Sequence, residues 1–204
     1  MLISSGAMTS DAMIVGDSKK MIVLIGLMGS GKTSVGRALA LRLKLVVRDS
    51  DEAVEKIAKT SVREIFENQG EDVFRKLESQ ALIDLCDAKS SIVLAVAGGA
   101  IISQSNRDLL QKNSKCIVWL DAPTPTLISR TGRGKHRPLL DGDPVGSLNK
   151  MRLDREPLYQ RLATHRLVTQ SLTIDEVVER IISLCSLETG SASLTESTEN
   201  SAIR

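Results

Sequence analysis

The chain has 204 residues, 42% of them hydrophobic and 25% charged, and its 27 basic side chains nearly balance 25 acidic ones for a net charge of +2. That is the composition of a globular domain with a full core, not of a basic nucleic-acid or membrane-surface binder, and apolar runs of about seven residues fall well short of the ~20 that span a bilayer. Two Phe, one Trp and one Tyr leave too few rings for the stacking platforms of a single-strand nucleic-acid binder.

Residues 1–20 follow no period and are expected to be a flexible extension. Residues 188–204, rich in Ser, Thr, Glu and Asn, read as a disordered polar tail or linker stub, which places the folded unit at 21–187. Within it, 21–25 is a short apolar strand and 32–43 a helix with Val35, Leu39 and Leu43 on one stripe. A strand at 45–47 leads into a helix at 51–59 that turns Val54, Ile57 and Ala58 inward. Ser61 and Glu64 have capping-box spacing and open a helix at 62–68. A helix at 71–86 buries Phe74, Leu77, Ala81 and Leu85, and an apolar strand at 92–96 runs out toward Gly98 and Gly99. Then come a short helix at 106–111, a strand at 116–120 and a helix at 124–130. Residues 148–162 are helical in part, and 165–168 form the last strand. The closing helix, 173–187, has Thr173 and Glu176 as a second capping-box pair and turns Ile174, Val177, Val178, Ile181, Ile182 and Cys185 inward. Strands that alternate with helices and are apolar on both faces specify an α/β fold with a parallel sheet covered on both sides.

Cys86, Cys116 and Cys185 are far apart, odd in number and set in apolar stretches, so all three are expected to be buried reduced thiols. His136 and His165 have no companions at metal-ligand spacing, which leaves a zinc site or a Ser-His-Asp hydrolase without support. No secretory leader pattern opens the chain, so the cytoplasm is the expected compartment.

The strongest local signal is Gly26-Leu27-Met28-Gly29-Ser30-Gly31-Lys32-Thr33, a complete G-x-x-x-x-G-K-[ST] string between a strand and a helix. Its glycines allow successive N–H groups to face one anionic centre, and the following helix, from Lys32 and Thr33 through Ser34, adds its unpaired N-terminal donors. Lys32 then meets the β- and γ-phosphates, and Thr33 offers a hydroxyl to Mg²⁺. A nucleoside triphosphate is the ligand this predicts.

Other features narrow the chemistry. The chain has no N-K-x-D string for guanine, and its 92–96 strand ends without a catalytic acid. The acids lie instead in Asp49-Ser50-Asp51, where the second strand meets the ligand-binding sheet edge. One carboxylate there can serve Mg²⁺ and the other can hold a substrate hydroxyl; alternatively, Asp51 caps the next helix. Arg75, with Glu78 one turn along to orient it, and Arg155 suit an anionic small substrate beside the glycine edge. Arg137, in the basic glycine-bearing stretch 131–138, suits a lid closing on phosphate, and Arg130 can lie flat on the nucleotide base. Arg133, Lys135 and His136 read as solvated lid surface.

These blocks together make the chain resemble the shikimate kinase family, small P-loop kinases related to nucleoside-monophosphate kinases. The resemblance runs over 21–187. It rests on the P-loop string, Asp49-Ser50-Asp51, Phe74-Arg75-Lys76-Leu77-Glu78, Gly98-Gly99-Ala100, Arg137-Pro138-Leu139-Leu140 and Arg155-Glu156-Pro157-Leu158-Tyr159. It implies a three-layer fold whose five-stranded parallel sheet has the order 2-3-1-4-5, with a mobile lid. It also implies ATP- and Mg²⁺-dependent phosphorylation of the 3-hydroxyl of shikimate, a step toward chorismate and the aromatic amino acids.

Carried onto this chain, Asp51, Arg75, Gly98, Gly99 and Arg155 hold shikimate, and Asp49 with Thr33 sits by the metal. Gly29, Ser30, Gly31, Lys32, Thr33, Ser34, Arg130 and Arg137 take the nucleotide, and Lys32, Asp51 and Arg137 act on the reacting groups. A cytoplasmic monomer is expected, with no nucleic-acid or membrane partner, and the tail could lead to a neighbouring pathway domain. Two departures stand out: Ala97 replaces the first of three customary glycines, and 168–173 lacks the aspartate-threonine and arginine that relatives place near adenine. The alternatives are a kinase for another small hydroxylated acid such as gluconate, a nucleoside-monophosphate kinase, and a non-catalytic nucleotide-binding regulatory domain.

Overall fold

A computed structural model describes residues 21–87, 90–131 and 143–187. Five strands, β1 (Met21–Ile25), β2 (Val46–Asp49), β3 (Ile92–Ala95), β4 (Cys116–Asp121) and β5 (His165–Val168), form one parallel sheet in the order β2-β3-β1-β4-β5. The central strand is Met-Ile-Val-Leu-Ile, every residue of it buried. Since successive side chains of a strand point to opposite faces, Met21, Val23 and Ile25 enter one hydrophobic cluster while Ile22 and Leu24 enter another. The edge strands β2 and β5 are half exposed, so only the inner strands are apolar on both faces.

Eight α-helices complete the described chain: α1 (Lys32–Leu43), α2 (Ser50–Ala58), α3 (Val62–Gln69), α4 (Glu71–Asp87), α5 (Gln104–Asn113), α6 (Thr124–Thr131), α7 (Pro144–Leu162) and α8 (Ile174–Leu184). Val35 and Leu39 of α1 join Val178 and Ile181 of α8 on one side of the sheet. Leu82 of α4, Leu110 of α5, and Leu148, Tyr159 and Leu162 of α7 cover the other. This is the expected three-layer architecture. Val54, Ile65, Phe74 and Ala81 close a third, smaller cluster that packs α2, α3 and α4 together as a wing beside the sheet. Both expected capping boxes form, Ser61 with Glu64 and Thr173 with Glu176. Each satisfies two backbone donors that a helix start otherwise leaves open.

Several details differ from the sequence reading. A 3₁₀ turn over Ala100–Ile102 precedes α5. Helix α7 is continuous from Pro144, with Asp143 as its N-cap and Pro157 inside it. Ile57 and Ile174 were expected inward but are exposed. Ile57 faces away from the small wing cluster, and Ile174 sits in the first turn of α8, at the rim of the cavity described below.

The expectation of three reduced thiols is corrected for two of them: Cys116 and Cys185 form a disulfide across 69 residues. Cys116 begins β4, and α8 runs back along the sheet to end over it, so chain topology joins two cysteines that sequence alone leaves unrelated. Cys86 is buried against the opposite face of the sheet. Among the described residues no helix is long and apolar enough to cross a membrane.

Candidate active site

The carboxyl ends of β1, β2 and β3 open into one cavity of about 570 Å³. Gly29, Ser30, Gly31, Lys32, Thr33, Ser34, Asp49, Asp51, Arg75, Gly98, Gly99, Arg130 and Arg155 all line it. Arg137 lies outside the described residues, as does the expected lid from 132 to 138.

The loop between β1 and α1, which carries the G-x-x-x-x-G-K-[ST] string, forms one half of the cavity. Gly29 has φ 80°, and a Cβ there would collide with the Leu127 carbonyl and the Thr131 side chain of α6, so only glycine serves. Lys32 Nζ donates to the carbonyls of Gly26 at 2.9 Å and Leu27 at 3.1 Å, which folds the ammonium over the loop. The buried Ser30 hydroxyl has no hydrogen-bond partner among the described residues. A buried hydroxyl left unmatched can donate to a group that enters the cavity.

The exit of β2 carries the acids. Asp49 Oδ2 accepts from the Thr33 hydroxyl at 2.8 Å, and its Oδ1 accepts from the Asp51 N–H at 3.0 Å. Asp49 is therefore the N-cap of α2. That corrects the alternative in which Asp51 caps this helix: Asp51 lies in the first turn with its side chain on the cavity. Ser50 points back, as its alternation with the aspartates requires, and its Oγ accepts from the Ala97 N–H at 2.8 Å. This bond ties the acid-bearing turn to the glycine edge after β3. Ala97 itself packs against the buried cluster on one face of the sheet.

Opposite the acids stand two arginines. Arg75 on α4 donates to Glu71 and Glu78 at 2.9 Å each, the orientation expected of Glu78 one turn along. Its guanidinium lies so close to Gly99 that a Cβ at position 99 would overlap it. Arg155 on α7 is buried at 8% exposure, and a Cβ on Gly98 would lie 3.4 Å from its Nη1. The Tyr159 hydroxyl donates to the Gly98 carbonyl at 3.1 Å, and burial pushes its pKa upward, so it stays a donor. The two glycines thus let bare backbone approach two guanidinium groups. Beyond them, Arg130 in the last turn of α6 donates to the hydroxyl and carbonyl of Thr169, at 3.2 and 3.0 Å. Thr169 and Leu172 also line the cavity.

Sequence reasoning cast Glu78 only as a support for Arg75 and missed its electrostatics. Its side chain is 1% exposed, Oε2 accepts from Arg75 and Oε1 is unmatched. Burial raises its carboxyl to a pKa of about 7; Arg75 opposes the rise, nearby Asp51 adds to it, and Arg155 opposes it. Because the folded state holds this proton more tightly than the unfolded chain does, the contribution to stability is full below about pH 4.5 and is lost as pH rises through about 7. Glu78→Gln cannot titrate. Relative to that variant, the wild type is expected to lose on the order of 1–3 kcal/mol of unfolding free energy between pH 5 and pH 8 in urea titrations. Parallel profiles for the two proteins would mean that Glu78 stays charged throughout.

Comparison with known proteins bears on what this cavity accepts. The shikimate kinase family model matches residues 28–186. A shikimate kinase of Symbiobacterium thermophilum is 42% identical over 164 residues, covering 79% of this chain and 93% of that one. The structure of shikimate kinase from Acinetobacter baumannii in complex with shikimate superposes with a TM-score of 0.78 at 35% identity, covering 82% of this chain and 93% of its own. A gluconokinase from Sinorhizobium meliloti superposes with a TM-score of 0.59 at 20% identity, covering 83% of this chain and 93% of its own. At that identity the likeness is one of fold.

Proposed function

The chain belongs to the shikimate kinase family, and from that premise we propose how its residues carry out the reaction. The activity is ATP-dependent phosphorylation of shikimate, giving shikimate phosphate and ADP. The single observation that supports the residue assignments best is that Arg75, Arg155, the Gly98–Gly99 edge and Asp51 share one cavity with the P-loop.

Shikimate carries a carboxylate and ring hydroxyls. Arg75 and Arg155 grip the carboxylate; guanidinium forks match it in shape and charge. With the ring anchored on the glycine edge, the 3-hydroxyl faces Asp51 on one side and the γ-phosphate on the other. The hydroxyl oxygen attacks the γ-phosphorus in line, the bond to the β,γ-bridging oxygen breaks, and Asp51 takes the hydroxyl proton late in the transfer. Lys32 exchanges the Gly26 and Leu27 carbonyls for phosphate oxygens and carries part of the developing charge, with Arg137 as the second cation. Arg130, fixed by Thr169, lies against the base.

The Thr33 hydroxyl and the Asp49 carboxylate, 2.8 Å apart, are the hard oxygen donors that suit Mg²⁺, and these two residues would hold it directly or through water. Bound there, it neutralises charge on the β- and γ-phosphates. The reading includes a monomer as the acting unit and the cytoplasm as its compartment.

A coupled assay of ADP release tests the proposal, with shikimate and gluconate as rival acceptors. Shikimate is expected to win by at least about 100-fold in kcat/KM, because its ring holds carboxylate and hydroxyl at one fixed separation, whereas an open-chain acid must be ordered to span the arginines and Asp51. Equal turnover of the two acids would overturn the acceptor-site assignment.

A further inference from the structure

The disulfide lies at the amino ends of the strands, at the other end of the sheet from the cavity. Cys116 opens β4 at 2% exposure, and Cys185 follows α8 as its C-cap at 7%. His165, the first residue of β5, brings a ring nitrogen within 4.8 Å of both sulfurs. The Thr164 hydroxyl approaches Cys116 Sγ at 3.5 Å while donating to the Ile117 carbonyl at 2.9 Å. A buried cysteine pair with an imidazole alongside differs from an inert core thiol, because the imidazole can accept and return the proton on which thiol reactivity depends.

The position of α8 gives the pair a consequence. Its first turns place Ile174 and Val177 on the nucleotide cavity, and its last residues pack on the sheet beside Cys116. One helix therefore connects the sulfur pair to the nucleotide wall. The disulfide closes a 69-residue loop containing α6, α7 and β5.

We propose that Cys116 and Cys185 form a reversible thiol–disulfide switch, served by His165, that sets how firmly α8 is held as a wall of the nucleotide site. A small thiol, the co-reactant, gives its proton to the neutral His165 imidazole and attacks the sulfur of Cys185, the more exposed of the two cysteines. The protein S–S bond breaks, a mixed disulfide forms on Cys185, and Cys116 leaves as a thiolate that takes a proton from the His165 imidazolium. A second small thiol, deprotonated by the now neutral His165, attacks the sulfur of the mixed disulfide contributed by the first. That frees the Cys185 thiolate, which takes the proton back from His165, and releases the small disulfide. Two electrons pass from two small thiols to the protein, and oxidation by a small disulfide runs the same steps backward.

The test uses the full chain, incubated with reduced or oxidised glutathione. Alkylation and intact mass count thiols, thermal melting reports stability, and steady-state kinetics give the ATP and shikimate KM. Reduction is expected to expose two further alkylatable thiols and lower the melting temperature by about 5–15 °C. It should also raise the ATP KM at least about twofold with the shikimate KM unchanged. Thiol count and melting temperature need no assumption about the nucleotide, so they separate failure of the switch from failure of the site assignment.

Cys185→Ser should melt at one temperature under both conditions, whereas Cys86→Ser should keep the full response. His165→Gln should slow reduction at least about fivefold without moving either end state, a rate effect that a purely structural histidine would not produce. The proposal is overturned if wild-type thiol count and melting temperature are the same under both conditions. It is also overturned if the ATP KM ignores redox state, or if the purified chain holds one equivalent of zinc that Cys185→Ser loses.

Discussion

Replacing Lys32 with methionine is expected to lower kcat by at least two orders of magnitude, about 3 kcal/mol or more of transition-state stabilisation, while the protein folds as before. The side chain lines the cavity and bonds two loop carbonyls, and it takes no part in the hydrophobic clusters. Removing it therefore costs the core nothing. What is lost is a positive charge at the place where charge is proposed to collect on the transferring group. Methionine matches the length of the apolar stem, so the loss is one of charge. The measurement is steady-state kinetics at saturating ATP and shikimate, with a melting curve to show that the fold persists. A variant within fivefold of wild-type kcat would remove Lys32 from the mechanism.

Much of this could be read before any coordinates, because the relevant signals are local. The P-loop string lies between an apolar pentapeptide and a period-3.6 stripe, and β1 and α1 emerge at the expected residues. Arg75 and Glu78 are one helical turn apart, so their pairing follows from spacing alone. What escaped depends on how distant segments meet. Cys116 and Cys185 are neighbours only because α8 doubles back along the sheet. Thr169 serves Arg130 through a hydroxyl and a carbonyl, neither of which a search for adenine-type motifs would single out. Glu78 enters the sequence reading only as the group that orients Arg75, yet its exposure is 1%, because α4 turns it inward. Periodicity places a side chain on a helical face but does not say how deep that face lies.

Arg155→Lys and Asp51→Asn are expected to fail in different ways. Lysine at 155 keeps the charge but loses the two-pronged fork that matches a carboxylate, so the shikimate KM should rise about tenfold or more while the ATP KM stays near its original value. Asparagine at 51 keeps the size but cannot take the hydroxyl proton, so kcat should fall by about 100-fold or more, and saturating shikimate should not restore it. A carboxylate clamp grips ground state and transition state alike, whereas a base that receives a proton from the attacking oxygen strengthens its interaction only as the transition state is approached. The positions of the two residues suit this division: Asp51 lies in the turn that Asp49 ties to Thr33 of the P-loop string, and Arg155 sits on α7 behind the glycine edge. Varying each substrate at saturation of the other resolves the two cases. Full kcat in Asp51→Asn, or an Arg155→Lys effect larger on the ATP KM than on the shikimate KM, would move the acceptor site elsewhere in the cavity and leave the P-loop assignment standing.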